Sequence, residues 1–278
     1  GNFALTAESC EAGTRLLLGI HPYHFAWTLA PGQSFAVPEA AFVYSRQGLG
    51  EMSRQFHTAI RRHLLRRPWA DPQTPRPVLI NSWEAAYFDF TGDTIVELAK
   101  EAKALGIDMD DGWFQGRNDD GTSLGDWVAD PAKLPDGLPG LCKKVNDIGL
   151  DFGLWVEPEA ISPDSDLYRT HPDWALKIPH RETVAIRRQY TLDFSRPEVV
   201  DGIWAQLQAV LNSCPIRYLK WDMNRSLADI YAPNVTYDYV LGVYDFLEKL
   251  TNRYPDILIE GCSGGGGRFD AGMLYYTP

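Results

Sequence analysis

The stretch Tyr218-Leu219-Lys220-Trp221-Asp222-Met223-Asn224-Arg225 decides how this chain reads. A short apolar run that starts at Ile216 ends there in charged and polar groups. Strand alternation sends Lys220, Asp222 and Asn224 to one side and Trp221 and Met223 to the other. A carboxylate two residues from an ammonium and two from a carboxamide is a poised anion, and the Lys220 charge is expected to favour its ionised form. That state suits a nucleophile or a charge stabiliser better than a proton donor. The competing reading is a strand end that carries a surface Lys-Asp pair.

Working outward, apolar runs at 78–83, 151–156, 190–194 and 257–262 read as strands, with a shorter one at 106–109. Helical spacing falls between them at 91–105, 137–149, 197–212 and 239–254, with Asp93 near the start of the first and Gly106 as its stop. Strand-then-helix alternation predicts a parallel sheet. The strand ends gather polar and aromatic chemistry: Asn81-Ser82-Trp83-Glu84, Trp155-Val156-Glu157-Pro158-Glu159 and Glu260-Gly261-Cys262-Ser263. An open doubly wound sheet would concentrate such residues at one switch point. Here nearly every strand contributes, which favours an α/β fold of the (β/α)8 TIM-barrel type. The strands fall short of eight, so an incomplete barrel is expected, with Tyr276-Thr277-Pro278 as the lead-in to another strand.

The N-terminal part differs. Residues 14–45 read as β, with strands at 15–20 and 36–44, a continuation at 21–27 interrupted by Pro22, and a Pro31-Gly32 turn. Residues 48–67 read as a helix, basic near its end. Pro68, Pro72, Pro75 and Pro77 form a stiff linker, so the boundary is set between a first unit at 1–70 and a second at 71–278.

With 278 residues, 45% of them hydrophobic, the chain can bury a sizeable core. A net charge of −11 argues against nucleic acid or an anionic membrane as partner. No apolar run reaches membrane-spanning length, and no basic-then-apolar leader opens the chain. Cys10, Cys142, Cys214 and Cys262 are scattered without a C-x-x-C pair, so neither a metal site nor a disulfide framework is expected.

Four further constellations are candidates for chemistry. Asp110-Asp111-Gly112-Trp113 offers two carboxylates for vicinal hydroxyls and an indole as an apolar wall, against the plainer reading of an Asp-Gly turn. Cys262-Ser263-Gly264-Gly265-Gly266-Gly267-Arg268-Phe269-Asp270 allows close backbone approach to a ligand, and it lacks the Gly-Lys-Ser/Thr of a phosphate loop. Glu157 and Glu159 read as solvated or structural, and Arg187-Arg188-Gln189 as a site rim or as surface charge. Carboxylates and aromatics with few histidines and no cofactor motif suit a carbohydrate-cleaving site.

Together with Leu16-Leu17-Leu18-Gly19-Ile20-His21-Pro22-Tyr23-His24-Phe25, Ser123-Leu124-Gly125-Asp126-Trp127 and Gly153-Leu154, these motifs in this order resemble glycoside hydrolase family 36, the large α-galactosidases. The resemblance covers nearly the whole chain. It implies a retaining α-galactosidase that acts on oligosaccharides such as melibiose and raffinose, with an N-terminal β-supersandwich, a central (β/α)8 barrel and a C-terminal β-sandwich. Asp222 is then the nucleophile. Asp110 and Asp111 hold the galactose O4 and O6, and Lys220, Asn224 and Arg187 bind ring hydroxyls. Trp155 walls the pocket, Trp83 lies on the leaving-group side, and Cys262 and Gly265 flank O2.

The family's general acid/base, an Asp in a Ser-Asp-Asp/Asn-Thr-Asp motif, is expected beyond Pro278. About three apolar residues that the family has between Met109 and Asp110 are missing, which predicts a shortened strand or displaced carboxylates. The resemblance implies no cofactor, and a homo-oligomer, a tetramer, for the whole protein. The alternatives are a galactosyl-transferring relative resembling raffinose synthase and a galactose-binding fragment without turnover.

Overall fold

The computed structural model describes residues 3–66, 68–69, 71, 73–102 and 106–278. The chain opens with an antiparallel hairpin of β1 (Phe3–Cys10) and β2 (Gly13–Ile20) in register from Phe3↔Ile20 to Cys10↔Gly13. The first arm was not foreseen. The expected continuation at 21–27 and the strand at 36–44 do not form. Helix α1 (Gly48–Ala59) occupies the region read as one helix, but Ile60–Leu64 loosens into π geometry. Arg67 and Pro72, in the expected helix end and linker, lie outside the described residues.

From there strand and helix alternate. β3 (Leu79–Asn81) leads into the short α2 (Trp83–Ala86), then α3 (Gly92–Ala102). The expected end of α3 at Leu105 is outside the described residues. Next come β4 (Gly106–Met109), α4 (Gly137–Asp147) and β5 (Asp151–Val156). A long connection holds β6 (Ala160–Ile161), α5 (Asp166–Thr170), β7 (Tyr190–Thr191) and α6 (Pro197–Ser213). The remainder is β8 (Ile216–Trp221), α7 (Val235–Arg253), β9 (Leu258–Gly261) and the short α8 (Ser263–Gly266) and α9 (Ala271–Tyr276).

β3, β4, β5, β8 and β9 form one parallel sheet in that spatial order. Neighbours follow chain order with no reversal, so there is no switch point, as in a barrel wall and unlike a doubly wound sheet. These five strands are part of a (β/α)8 barrel. The expected strand at 190–194 is not one of them. Only Tyr190–Thr191 forms a strand, and it pairs antiparallel with Ala160–Ile161 outside the barrel sheet. Of the stretch Tyr276-Thr277-Pro278, expected to lead into a strand, Tyr276 is the last residue of a helix, Ala271–Tyr276.

Burial explains the elements. β4 is buried at every position, and β5 at every position after Asp151, because parallel strands are covered on both faces. β4 is four residues long but pairs along both edges, with β3 and β5. On α7, Val235, Tyr239, Val243, Phe246, Leu247 and Leu250 make one buried stripe facing the sheet. Phe246 meets Trp221 edge-on at 5.1 Å, which locks the outward side of β8 onto that helix.

Candidate active site

The C-terminal ends of the parallel strands deliver the predicted carboxylates to one place. Asp222 directly follows β8 and is 5% exposed. Its Oδ1 accepts from the Met223 amide at 2.9 Å and the Gly264 amide at 3.0 Å. Its Oδ2 accepts from Asn224 Nδ2 at 2.6 Å and Trp155 Nε1 at 3.1 Å. Burial opposes the charge, but the Gly264 amide, the Asn224 carboxamide, the Trp155 indole and the Met223 amide outweigh it, and the Asp222 carboxyl lies below its usual range. Dipoles, not the neighbouring ammonium, keep this group ionised. The expectation that Lys220 does so is corrected: Lys220 Nζ instead contacts Asp110 Oδ2 at 2.7 Å.

Asp110 and Asp111 lie just past β4. Asp110 Oδ2 also accepts from Asn81 Nδ2 at 2.5 Å, and its backbone amide donates to Ser82 Oγ at 3.1 Å. Asp111 receives a two-pronged Arg117 contact, Nε to Oδ1 at 3.0 Å and Nη2 to Oδ2 at 2.8 Å. Burial raises the Asp111 carboxyl against the pull of Arg117. Burial alone would lower the Lys220 ammonium, yet its contact with Asp110 lifts it. Asp110 Oδ1, which accepts from the Asp111 amide at 2.8 Å, and Asp111 Oδ1 keep acceptor capacity that a hydroxyl can use.

The aromatic residues divide into two layers. Trp155 is 2% exposed and turns its indole edge to Asp222, while its carbonyl accepts from Trp113 Nε1 at 2.9 Å. Trp113, expected as an apolar wall, is fully buried behind the site against Phe114 and Trp127. Trp83 is partly exposed at the start of α2, where its ring meets Tyr87 and Phe88 edge-on at 5.0 Å. Its amide donates to Asn81 Oδ1, which links it to the Asp110 side.

The glycine run closes the other flank. Cys262 N donates to Trp221 O at 2.9 Å, and Gly264, Gly265 and Gly266 all take positive φ, which lets the chain turn its Gly264 amide onto Asp222. Burial pushes the Cys262 thiol up, the Gly265 amide pulls against this, and the Asp222 charge adds to the rise. Arg187 stands apart from this hydrogen-bonded group. It is half-exposed with φ of 53°, and its nearest charge is Asp120 at 3.9 Å.

Several participants were not singled out in the sequence. Arg117 sits in a loop with no periodic signal. Asn81 bridges Asp110 and the buried Asp108, and burial, helped by the Asp110 charge, pushes the Asp108 carboxyl up to about 8. Alternation from Asp110 would have placed Asp108 on the same side. Glu157 and Glu159 are not solvated; they are 1% and 0% exposed.

With this geometry in place, comparison with known proteins is direct. The melibiase family model matches residues 34–278. The chain belongs to glycoside hydrolase family 36, the melibiase family. It is 58% identical over 282 residues to the bifunctional alpha-galactosidase/sucrose kinase AgaSK of Mediterraneibacter gnavus, covering 100% of this chain and 30% of that protein. It is 50% identical over 290 residues to alpha-galactosidase AgaA of Geobacillus stearothermophilus, covering 100% of this chain and 40% of AgaA. Among solved structures, the galactosidase domain of AgaSK superposes with a TM-score of 0.96 at 56% identity, over 100% of this chain and 39% of that one. A variant of AgaA in complex with raffinose superposes at 0.95 and 48% identity, over 99% of this chain and 40% of that one. The chain thus spans 30% to 40% of the length of these curated relatives.

Proposed function

We propose that this chain is the nucleophile-bearing part of a retaining α-galactosidase, acting on terminal α-linked galactose by double displacement. The observation that carries the reading is Asp222: a nearly buried carboxylate, held ionised by four hydrogen bonds, beside the Asp110–Lys220 and Asp111–Arg117 pairs. Support also comes from relatives named alpha-galactosidases and from the raffinose complex of AgaA.

In this reading Asp110 and Asp111 accept from two galactose hydroxyls, and Lys220, Asn224 and Arg187 serve other ring hydroxyls. Trp155 and Trp83 give apolar surface, and Cys262 and Gly265 line the O2 side. Asp222 attacks the anomeric carbon from the face opposite the leaving oxygen and forms a galactosyl ester. The acid/base that the family resemblance places after Pro278 protonates the leaving oxygen, then activates the water that releases galactose. In a retaining site its carboxyl stands roughly 5–5.5 Å from that of Asp222. Residues 1–70 form the end of an N-terminal β-supersandwich with its connecting helix, residues 71–278 belong to the catalytic barrel, and the whole protein assembles as a homo-oligomer, a tetramer.

The test is Asp222→Ala in the full-length protein with an aryl α-galactoside. Turnover is expected to vanish while the fold persists, and azide is expected to restore release of the phenol as galactosyl azide forms. Wild-type turnover in this variant removes Asp222 from the nucleophile role.

A further inference from the structure

We infer that Glu157, one residue beyond β5, is a positioning residue whose buried carboxylate aims the Asn224 side chain at Asp222 and ties the nucleophile's loop to the segment carrying Arg187. The inference rests on the nucleophile role proposed above for Asp222.

The geometry is a shared hub. Glu157 Oε1 accepts from the Asn224 backbone amide at 2.5 Å and from Gln189 Nε2 at 3.0 Å. Oε2 faces Asn224 Nδ2 at 3.3 Å, and that same nitrogen donates to Asp222 Oδ2 at 2.6 Å. An amide nitrogen with acceptors on two sides cannot exchange places with its own oxygen without setting that oxygen against two carboxylates. Glu157 therefore fixes which end of Asn224 meets Asp222. The second tie runs through Gln189, whose carbonyl accepts from Arg225 Nη1 at 2.6 Å, while Arg225 also reaches the Val184 carbonyl at 3.1 Å. Arg187 lies within this tethered stretch, and it and Arg188 both take left-handed backbone conformations. Such conformations persist only where surrounding contacts impose them.

Each of these groups facing the Glu157 carboxyl is a donor, the pattern of a carboxylate serving as acceptor alone. Burial, with the Asp222 charge adding to it, pushes the group up to about 7. Glu157→Gln preserves volume but places an NH2 where donors already point, so one contact must break.

The test uses the full-length protein with an aryl α-galactoside. Active sites are counted by trapping the nucleophile with a slow fluorinated galactosyl fluoride, which separates rate per site from amount folded. For Glu157→Gln, kcat per trapped site is expected to fall about 10- to 100-fold, the scale of a small misplacement of a reacting group. For Gln189→Ala, which keeps Glu157 and frees only the second tie, KM is expected to rise more than kcat falls. This second variant decides the matter where Glu157→Gln does not fold. Per-site kcat and KM within about twofold of wild type in the soluble variants overturn the inference. Asp222→Ala, run alongside, separates the two failures: if it turns over like wild type, the nucleophile assignment falls, and if it is dead while the other variants are normal, only the role of Glu157 falls.

Discussion

Arg268→Met should cost this protein about 3–5 kcal/mol of stability at neutral pH, the scale of leaving one partner of a buried ion pair behind. The structure supplies the reason. Glu159 is fully buried. Arg268 Nη1 and Nη2 fork onto its two oxygens at 2.8 and 2.7 Å, while Trp221 Nε1 and the Tyr239 hydroxyl add contacts at 2.8 and 2.7 Å. Methionine retains much of the side-chain volume but none of the charge. The two neutral donors that remain are each worth about 0.5–1.5 kcal/mol net, against a desolvation cost of several kcal/mol for a buried carboxylate.

The pH dependence sharpens the expectation. Burial works to raise the Glu159 carboxyl, yet Arg268 first, then Trp221 and Tyr239, bring it below its ordinary value. A depressed carboxylate contributes stability above its unfolded pKa and loses it as pH falls through the folded one. Without Arg268, burial is opposed only by neutral donors and the carboxyl rises above its ordinary range. The variant's penalty then grows as pH climbs through that range. The gap between wild type and Arg268→Met should therefore be wide at pH 7 and shrink towards pH 4. Urea midpoints of the full-length protein, read by pulse proteolysis at several pH values, measure it. A loss under about 1 kcal/mol at pH 7, or one of equal size at both ends, refutes the reasoning.

Two further outcomes follow from other buried positions. Asp108, raised to about 8 mainly by burial, takes up a proton on folding near neutral pH, so its penalty is absent below its unfolded pKa and accumulates up to the folded one. Asp108→Asn should flatten the decline of stability between pH 4 and 8 by up to about 1.4 kcal/mol per unit, and an unchanged slope contradicts it. Gly153→Ala would bring a methyl group within 2.8 Å of Tyr218 Cδ1 and 3.1 Å of the Tyr218 carbonyl. It should lower stability by about 1–3 kcal/mol through overpacking between β5 and β8, and a neutral urea midpoint would show that the two strands yield there.

How far the sequence carried the fold depends on what each segment buries. β5 was legible to the residue, since Asp151 and Glu157 bracket an unbroken apolar run. The segment at 190–194 misled because Leu192 and Phe194 are indeed buried, but in the long connection and not in the barrel wall. β1 went unread because Phe3–Cys10 shows no strict apolar–polar alternation along its length and is almost entirely exposed, with its hairpin register carried by backbone bonds. At the site, the carboxylates were legible because they end strands. Their partners were not. Lys220 lies two residues from Asp222, yet its long stem reaches past β5 to Asp110, and Arg117 finds Asp111 through a loop whose path leaves no periodic trace.

The site's charge arrangement follows from that mismatch. Among the described residues, six carboxylates are buried at or near the ends of the parallel strands: Asp108, Asp110, Asp111, Glu157, Glu159 and Asp222. Cations neutralise three of them, Lys220 on Asp110, Arg117 on Asp111 and Arg268 on Glu159. Burial drives Asp108 and Glu157 upward, towards the protonated state. Asp222 alone among these six is held in the charged form without a cation among its hydrogen-bond partners, two donors on each oxygen. An ion pair to lysine would leave a strong charge–charge attraction to be broken as the carboxylate becomes a neutral ester. Fixed dipoles hold the anion in place without that penalty and need no reorganisation as its charge is used. In the reading proposed above, Lys220 and Arg117 therefore stand on Asp110 and Asp111, the groups assigned to the sugar hydroxyls, and the carboxylate without a cation partner is Asp222, the group assigned to attack the anomeric carbon.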